Sequence, residues 1–325
     1  MSNLKFCQIN AENLFLLFDN PLPPNYAKLE RKQWESLTTS VFENKPLAKI
    51  ISLANAIKDI DADIVMLNEV GGVESLKNFN QYFLDNKYSP ILVEGNSDRS
   101  IDVGFLIKKN LPFYFDLFSH KNKEIDLVYP ATAEKKITYR FSRDCAELRL
   151  FKSDVQSPFL IILLTHLKSP LDPERIDAGG VLRRASELRA CVDIYNELKK
   201  NHPQTPVMLC GDFNGAAGRF NTDVEFAYLY ANTDLEDILE LAQIPNENRH
   251  TFIQVKSGFR SEGRQIDFCF LPDALKSKLV AGSASTYLYK DQYGSPLKRP
   301  DTLEQKAQLP SDHYPIIFTL ENLNF

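Results

Sequence analysis

The chain has 325 residues, 43% of them hydrophobic, 11% aromatic and 25% charged, a balance that excludes a disordered, collagen-like or low-complexity polypeptide and supplies enough apolar material for a large core. With 43 Asp+Glu against 38 Lys+Arg the formal charge is -5, so contact with nucleic acid or an anionic membrane requires a local basic patch or a bound cation, not a uniformly cationic surface. The five cysteines, at 7, 145, 191, 210 and 269, are odd in number and lack CxxC spacing, which argues against both a disulfide framework and a thiolate zinc site.

From the N-terminus onward, short apolar runs bounded by turn residues predict buried strands at 4–9, 64–67, 103–107, 145–151, 159–164, 207–210, 266–271 and 316–320. Cys7, Cys145, Cys210 and Cys269 fall inside these runs and read as buried fillers. Between the first two runs, Leu47, Ile50, Ile51, Ala54 and Ile57 recur at helical spacing over 46–60, with Asn44 as a candidate cap. A longer helix is expected over 174–200, where Gly179-Gly180 marks a break or a late start, and shorter ones over 71–84 and 234–242. The segments 19–44, 119–139 and 287–309 are long, polar and weakly periodic, the profile of loops that crown a scaffold and select its ligand. No repeat or Pro/Ser-rich linker divides the chain, so a single domain over 1–325 is expected. No run approaches the ~20 apolar residues of a membrane helix. The N-terminus lacks the pattern of a secretory leader, so the cytoplasm is the expected location.

Several strands end in residues that chemistry can use. Val-Met-Leu-Asn68-Glu69 ends in a carboxylate, Leu-Leu-Thr-His166 in an imidazole, and Cys-Gly-Asp212-Phe-Asn214 in a carboxylate and an amide. In layered α/β proteins, ligands gather where strand ends converge. Taken singly, Glu69 reads equally well as a cap for the helix after Gly71-Gly72, 211–215 as a turn, and His166 as a structural histidine. Asp267 is harder to dismiss. Alternation in Gln265-Ile-Asp-Phe-Cys-Phe-Leu puts Ile266, Phe268 and Phe270 on one face and Asp267 with Cys269 and Leu271 on the other. A carboxylate on such a face needs a cation or strong donor, and His313 just before the last apolar run is the natural partner.

Taken in order, Gln-Ile-Asn10-Ala-Glu-Asn, Leu-Asn-Glu69-Val, Thr-His166-Leu-Lys, Gly-Asp212-Phe-Asn214, Gln-Ile-Asp267-Phe and Ser-Asp312-His313-Tyr-Pro resemble the motifs of the endonuclease/exonuclease/phosphatase (deoxyribonuclease I-like) superfamily, across residues 4 to 320. The resemblance implies an α/β (α+β) fold, a four-layered sandwich of two mostly antiparallel sheets packed face to face with helices outside. It implies Glu69 as the main Mg²⁺ ligand, supported by Asn10 and Asp312, with Mn²⁺ or Ca²⁺ as substitutes; oxygen and amide donors suit such hard cations. It further implies that His313, oriented by Asp267, serves the phosphate, and that Asp212 and Asn214 position the attacking water and phosphoryl oxygens. His166 resembles a second histidine that helps the leaving group or phosphate. Arg143, where a surface salt bridge is the rival reading, and Lys168 are the phosphate-binding candidates. Arg99, Asp102 and Arg140 lie within reach by sequence, Asp102 as a candidate to orient His166.

The expected activity is therefore metal-dependent hydrolysis of phosphodiester bonds by a monomer, with nucleic acid as the first-choice substrate. Lys290, Lys298 and Arg299 are candidates for a small basic patch. The alternative is a phosphatase or phospholipase C-type hydrolase acting on inositol phosphates or phospholipids, to which the aromatic segment around Tyr26 and Trp34 would be suited. A non-catalytic binding protein on the same scaffold is the third reading.

Overall fold

The computed structural model describes residues 3–152, 157–256 and 260–323. The eight apolar runs all lie in strands of the two main sheets, and four further strands join them: β1 (Leu4–Leu14), β2 (Ile64–Val70), β3 (Tyr88–Leu92), β4 (Asp102–Lys108), β5 (Tyr114–Ser119), β6 (Cys145–Phe151), β7 (Pro158–His166), β8 (Val207–Asp212), β9 (Glu236–Asp237), β10 (Asp267–Leu271), β11 (Ser285–Thr286) and β12 (Ile316–Leu320). They pair into two six-stranded sheets, ordered β11-β12-β1-β2-β4-β3 and β9-β10-β8-β7-β6-β5. Only the β1–β2 and β7–β8 pairs in these sheets are parallel.

Strand alternation determines which face packs where. Phe6, Met66, Phe105, Leu148, Leu164 and Cys210 point into the layer between the sheets. Their neighbours point outward. Cys7, Val65 and Leu67 pack under helices α1 (Leu47–Ile60) and α2 (Gly72–Phe83) through Ile50, Leu53, Ile57 and Phe79. Ile161, Leu163, Val207 and Leu209 pack under α3 (Val181–Asn201) through Leu188, Val192 and Ile194. The result is the expected four-layered sandwich, held by apolar burial worth roughly 25 cal/mol per Å². All five cysteines are buried.

Several local expectations are corrected. Asn44 does not cap α1, which starts behind Pro46; its amide instead ties both the N–H and the carbonyl of Leu17. The helix over 174–200 has the late start that Gly179-Gly180 signalled: it begins at Val181, because these glycines adopt φ of 69° and 65° and end the preceding turn. Asp177 then accepts from the N–H groups of Leu182 and Arg183, satisfying two donors at the helix start. The 234–242 segment splits into β9 and a four-residue helix, Ile238–Leu241, since Glu236 and Asp237 pair with Leu271 and Phe270. β3, which carries Pro90 and so occupies a sheet edge, is not apparent from periodicity, and neither are edge strand β5 and the hairpin Phe252–Lys256 with Arg260–Arg264. In the 19–44 segment Trp34 is only 2% exposed and donates to the carbonyl of Lys45, so it packs rather than faces a lipid surface.

Candidate active site

The inward-facing series of five strands run into polar residues at one end of the inter-sheet layer. Phe6 is followed at the same face by Gln8 and Asn10, Met66 by Asn68, Leu164 by His166 and Cys210 by Asp212, while Cys269 is preceded by Asp267. Apolar packing thus gives way to a polar layer without any change of strand period. Asp267 lies on the face predicted from alternation and is fully buried. Its Oδ2 is 2.7 Å from Nδ1 of His313, and its Oδ1 accepts from Gln8 Nε2 at 3.3 Å. Burial alone would lower the His313 pKa. The charge and hydrogen bond of Asp267, with Asp312 and Asp212 nearby, outweigh it and hold the imidazole well above its usual value.

Asp212 accepts from Asn10 Nδ2 at 3.0 Å and from the N–H of Asn214 at 2.8 Å. Burial, reinforced by the charge of Asp267, pushes its carboxyl up to about 7. Gly211 makes this approach possible: its φ is 138°, and a Cβ there would sit 1.9 Å from the carbonyl oxygen of Thr165. The amide of Asn214 donates to the carbonyl of Leu167 and so ties the loop after β8 to the loop after β7. His166 stands 3.6 Å from Asp212 and 3.9 Å from Glu69, and its Nδ1 has no hydrogen-bond partner among the described residues. Burial, then the charges of Arg143 and His313, keep it well below the usual histidine value, hence neutral. Asp102 does not orient it. The Asp102 carboxylate instead accepts from the N–H of Gly95, and burial raises it to about 6.

Glu69 does not cap α2, whose first turn follows Gly71 without a side-chain cap. It adopts φ 61° where the β2 register breaks, and its Oε2 accepts from the N–H of Asn13, which sits in the matching irregularity of β1. Paired register breaks next to a site re-aim side chains that regular strands would direct elsewhere. Asp312 is 3.3 Å from Lys306 Nζ and 3.8 Å from His313 Nε2. Although burial raises it, His313 and Lys306 bring its carboxyl below the usual range. Asp212, Asp267 and His313 offer ligand-type atoms within 4.8 Å of one another, but the Asp267 and His313 atoms already engage each other.

Arg143 is not a surface residue in a salt bridge. It is 6% exposed, makes no ion pair among the described residues, leaves Nε without a partner, and has its pKa lowered by burial. Lys168 folds its ammonium onto the carbonyls of Ser169 and Leu171. Arg143, Lys168, Arg99 and Arg140 all line a cavity of roughly 700 Å³ beside the polar layer. The Lys290–Arg299 patch is not assembled as expected: Lys290 pairs with Asp59, and Arg299 donates to the carbonyl of Glu247.

No family model and no curated protein matches the chain. Solved structures do. The catalytic domain of human Nocturnin with bound sulfate superposes with TM-score 0.59 at 15% identity, over 98% of this chain and 93% of that one. D. rerio TDP2 complexed with a single-strand DNA product gives 0.57 at 16%, over 99% and 100%. An endonuclease/exonuclease/phosphatase family protein from Bacteroides thetaiotaomicron gives 0.55 at 15%, over 98% and 97%. The chain has the endonuclease/exonuclease/phosphatase fold. Within that fold, the six segments singled out in the sequence bring Asn10, Glu69, His166, Asp212, Asp267 and His313 to one strand-end cluster, with Asn214 and Asp312 adjoining it.

Other residues shape the site and carry no motif of their own. Gln8 donates to both Asn68 and Asp267, and Asn68 donates to the carbonyl of Thr165, so these two amides link the sheets. Ser311 donates to the carbonyl of Asn10 and accepts from the N–H of His313. Glu187 of α3 accepts from the N–H groups of Ser142 and Lys168 and from Arg183 Nε, which fixes the loop carrying Arg143 and the loop that follows His166. Polar residues at core parity, as at Gln8 and Asn68, are the sequence signal for the first pair. Glu187 has none beyond its buried helix face.

Proposed function

We propose that the protein is a divalent-metal-dependent hydrolase of phosphodiester bonds and that its substrate is nucleic acid. The observation that carries this reading is the convergence of Asp212, the Asp267–His313 pair, His166 and Glu69 at the end of one inter-sheet layer. Such a layer has no packing reason to hold so many ionisable groups. The donor set fits a hard cation. Glu69 Oε1 has no hydrogen bond among the described residues, Glu69 and Asp312 supply carboxylates, and Asn10 an amide. Glu69, with Asn10 and Asp312 in support, would hold Mg²⁺, which when bound neutralises phosphoryl charge and orients the ester.

The chain's own groups then divide the remaining work. Asp212, poised near 7, accepts a proton from the attacking water, and Asn214 fixes the loop that aims it. His313 is kept cationic by Asp267 and faces the developing negative charge. His166 stays neutral beside the same carboxylates and is able to donate a hydrogen bond on the leaving-group side. Nucleic acid is favoured over lipid because Trp34 is buried, because guanidinium groups cluster beside the site, and because one structural neighbour was solved with a single-strand DNA product.

The test is a phosphoester screen with Mg²⁺, Mn²⁺ and Ca²⁺, with and without chelator. Nucleotide release from single-stranded and plasmid DNA or RNA that disappears with chelator is the expected result. Release of phosphate or phosphocholine from lipids alone would overturn the substrate, and inertness toward every ester with every metal would overturn the enzyme.

A further inference from the structure

The cavity of roughly 700 Å³ next to the polar layer is lined by two kinds of group. One kind is cationic. Arg143 is buried with Nε unpartnered and lies within the field of Glu69 and Asp212, and Arg99 reaches across to Asn13 Oδ1 at 2.6 Å. The other is aromatic. Tyr139 belongs to a short strand paired with Glu124 and Ile125, its ring meets the edge of Tyr129 at 5.2 Å, and the Arg183 guanidinium stands 5.9 Å from its centre. Arg140, exposed and without a side-chain bond among the described residues, flanks it. Four carboxylates, Asp98, Asp172, Glu174 and Asp177, share the wall with Arg99, Arg140, Arg143, Lys168 and Arg183, and Asp172 and Asp177 are turned onto backbone N–H groups.

A buried, unpaired guanidinium needs an anion. A tyrosine backed by one guanidinium and flanked by another is a platform for a planar ring. The volume accommodates one nucleotide. We propose that this cavity is a nucleoside-phosphate subsite in which Arg143 and Arg99 hold a phosphate while the base stacks on Tyr139 beside Arg140. This rests on the phosphoester reading above and narrows it: one nucleotide next to the scissile bond is taken out of any helix and gripped singly, so the substrate is a strand end, a single strand or a free nucleotide.

Calorimetric titration of the full chain in chelator tests the subsite without turnover, using 5′-AMP, inorganic phosphate and myo-inositol 1-phosphate as probes. The expected order is AMP tighter than the other two by at least ~5-fold. Tyr139→Ala should weaken AMP by about 5- to 150-fold, the span of one base stacked on one aromatic ring, while phosphate binding stays unchanged and Tyr139→Phe keeps AMP binding. Should Tyr139→Ala fail to fold, Arg140→Ala replaces it and should selectively weaken AMP. Equal affinity for AMP and phosphate, inositol phosphate matching AMP, or selective loss in neither variant would overturn the proposal. Hydrolysis of methyl p-nitrophenyl phosphate with Mg²⁺ reads the catalytic centre alone. Turnover there without AMP preference would overturn only the subsite, and AMP preference without any turnover would overturn only the enzyme.

Discussion

Replacing Asp267 by Asn keeps the side-chain shape and removes the charge that organises the polar layer. The carboxylate is fully buried, 2.7 Å from His313 and 3.3 Å from Gln8. Removing one partner of a buried pair costs about 3–5 kcal/mol, and because Asn still offers one acceptor the lower end applies, about 3 kcal/mol. For a chain of 325 residues that corresponds to a fall in Tm of roughly 4 °C. The loss depends on pH with a defined sign. His313 is held above its ordinary value in the folded state, so its contribution is fully present below about pH 6.5, the unfolded value, and fades as pH rises through the raised folded value. Without Asp267, burial dominates and the imidazole turns neutral. Urea unfolding in chelator at pH 6 and pH 9 should therefore show a wide gap between wild type and Asp267→Asn at pH 6 that narrows at pH 9, while turnover of a phosphodiester falls at both. Coincident unfolding curves at pH 6, or full turnover, would refute the pairing argument.

The remaining predictions concern separate parts of the molecule. His313→Ala and Asp212→Asn should each lower kcat at least ~100-fold, Asp212→Asn with little change in Tm and His313→Ala with a loss of about 3 kcal/mol because Asp267 is left buried without its partner; near-normal rates in steady-state assays would contradict their roles. Glu187→Gln places an amide N–H₂ against one of the N–H donors of Ser142, Lys168 or Arg183; a loss of about 2–4 kcal/mol in denaturant titration is expected, with weaker substrate binding, and unchanged stability would show that these bonds are dispensable. Asp237 is fully buried, its Oδ1 has no partner, and burial raises its carboxyl to about 7. The Asp237 contribution to wild-type stability should fall as pH rises from about 4 to 7, by at most on the order of 4 kcal/mol, and Asp237→Asn should make the pH profile shallower over that window, leaving the shares of Asp212 and Asp102; parallel pH profiles would refute it. Millimolar Mg²⁺ should raise Tm by binding the folded state, and Glu69→Gln should abolish the increment in a thermal shift assay; an equal increment in the variant would move the metal elsewhere.

The strand-end polar residues were legible because the relevant rule is local. Alternation placed Asp267 with Cys269 and Leu271, and the same two-residue period carries the apolar series into His166 and Asp212. What stayed hidden depends on partners distant in sequence. Asp102 lies near the right loop but meets Gly95 instead of His166, and Lys290 is taken by Asp59, which lies in α1. Glu69 is aimed by register breaks in both β1 and β2, which only the paired strands reveal. Pro90 masks β3, and the two-residue β9 exists only because β10 is beside it.

The pairing of β12 with β1 joins the two ends of the described chain. During synthesis the N-terminal strand must therefore wait, one flank uncovered, until almost everything else has been made. Asn10, Glu69, His166 and Asp212 leave the ribosome long before His313, so a polypeptide halted shortly ahead of that histidine carries most of the polar cluster but leaves Asp267 without the imidazole it pairs with.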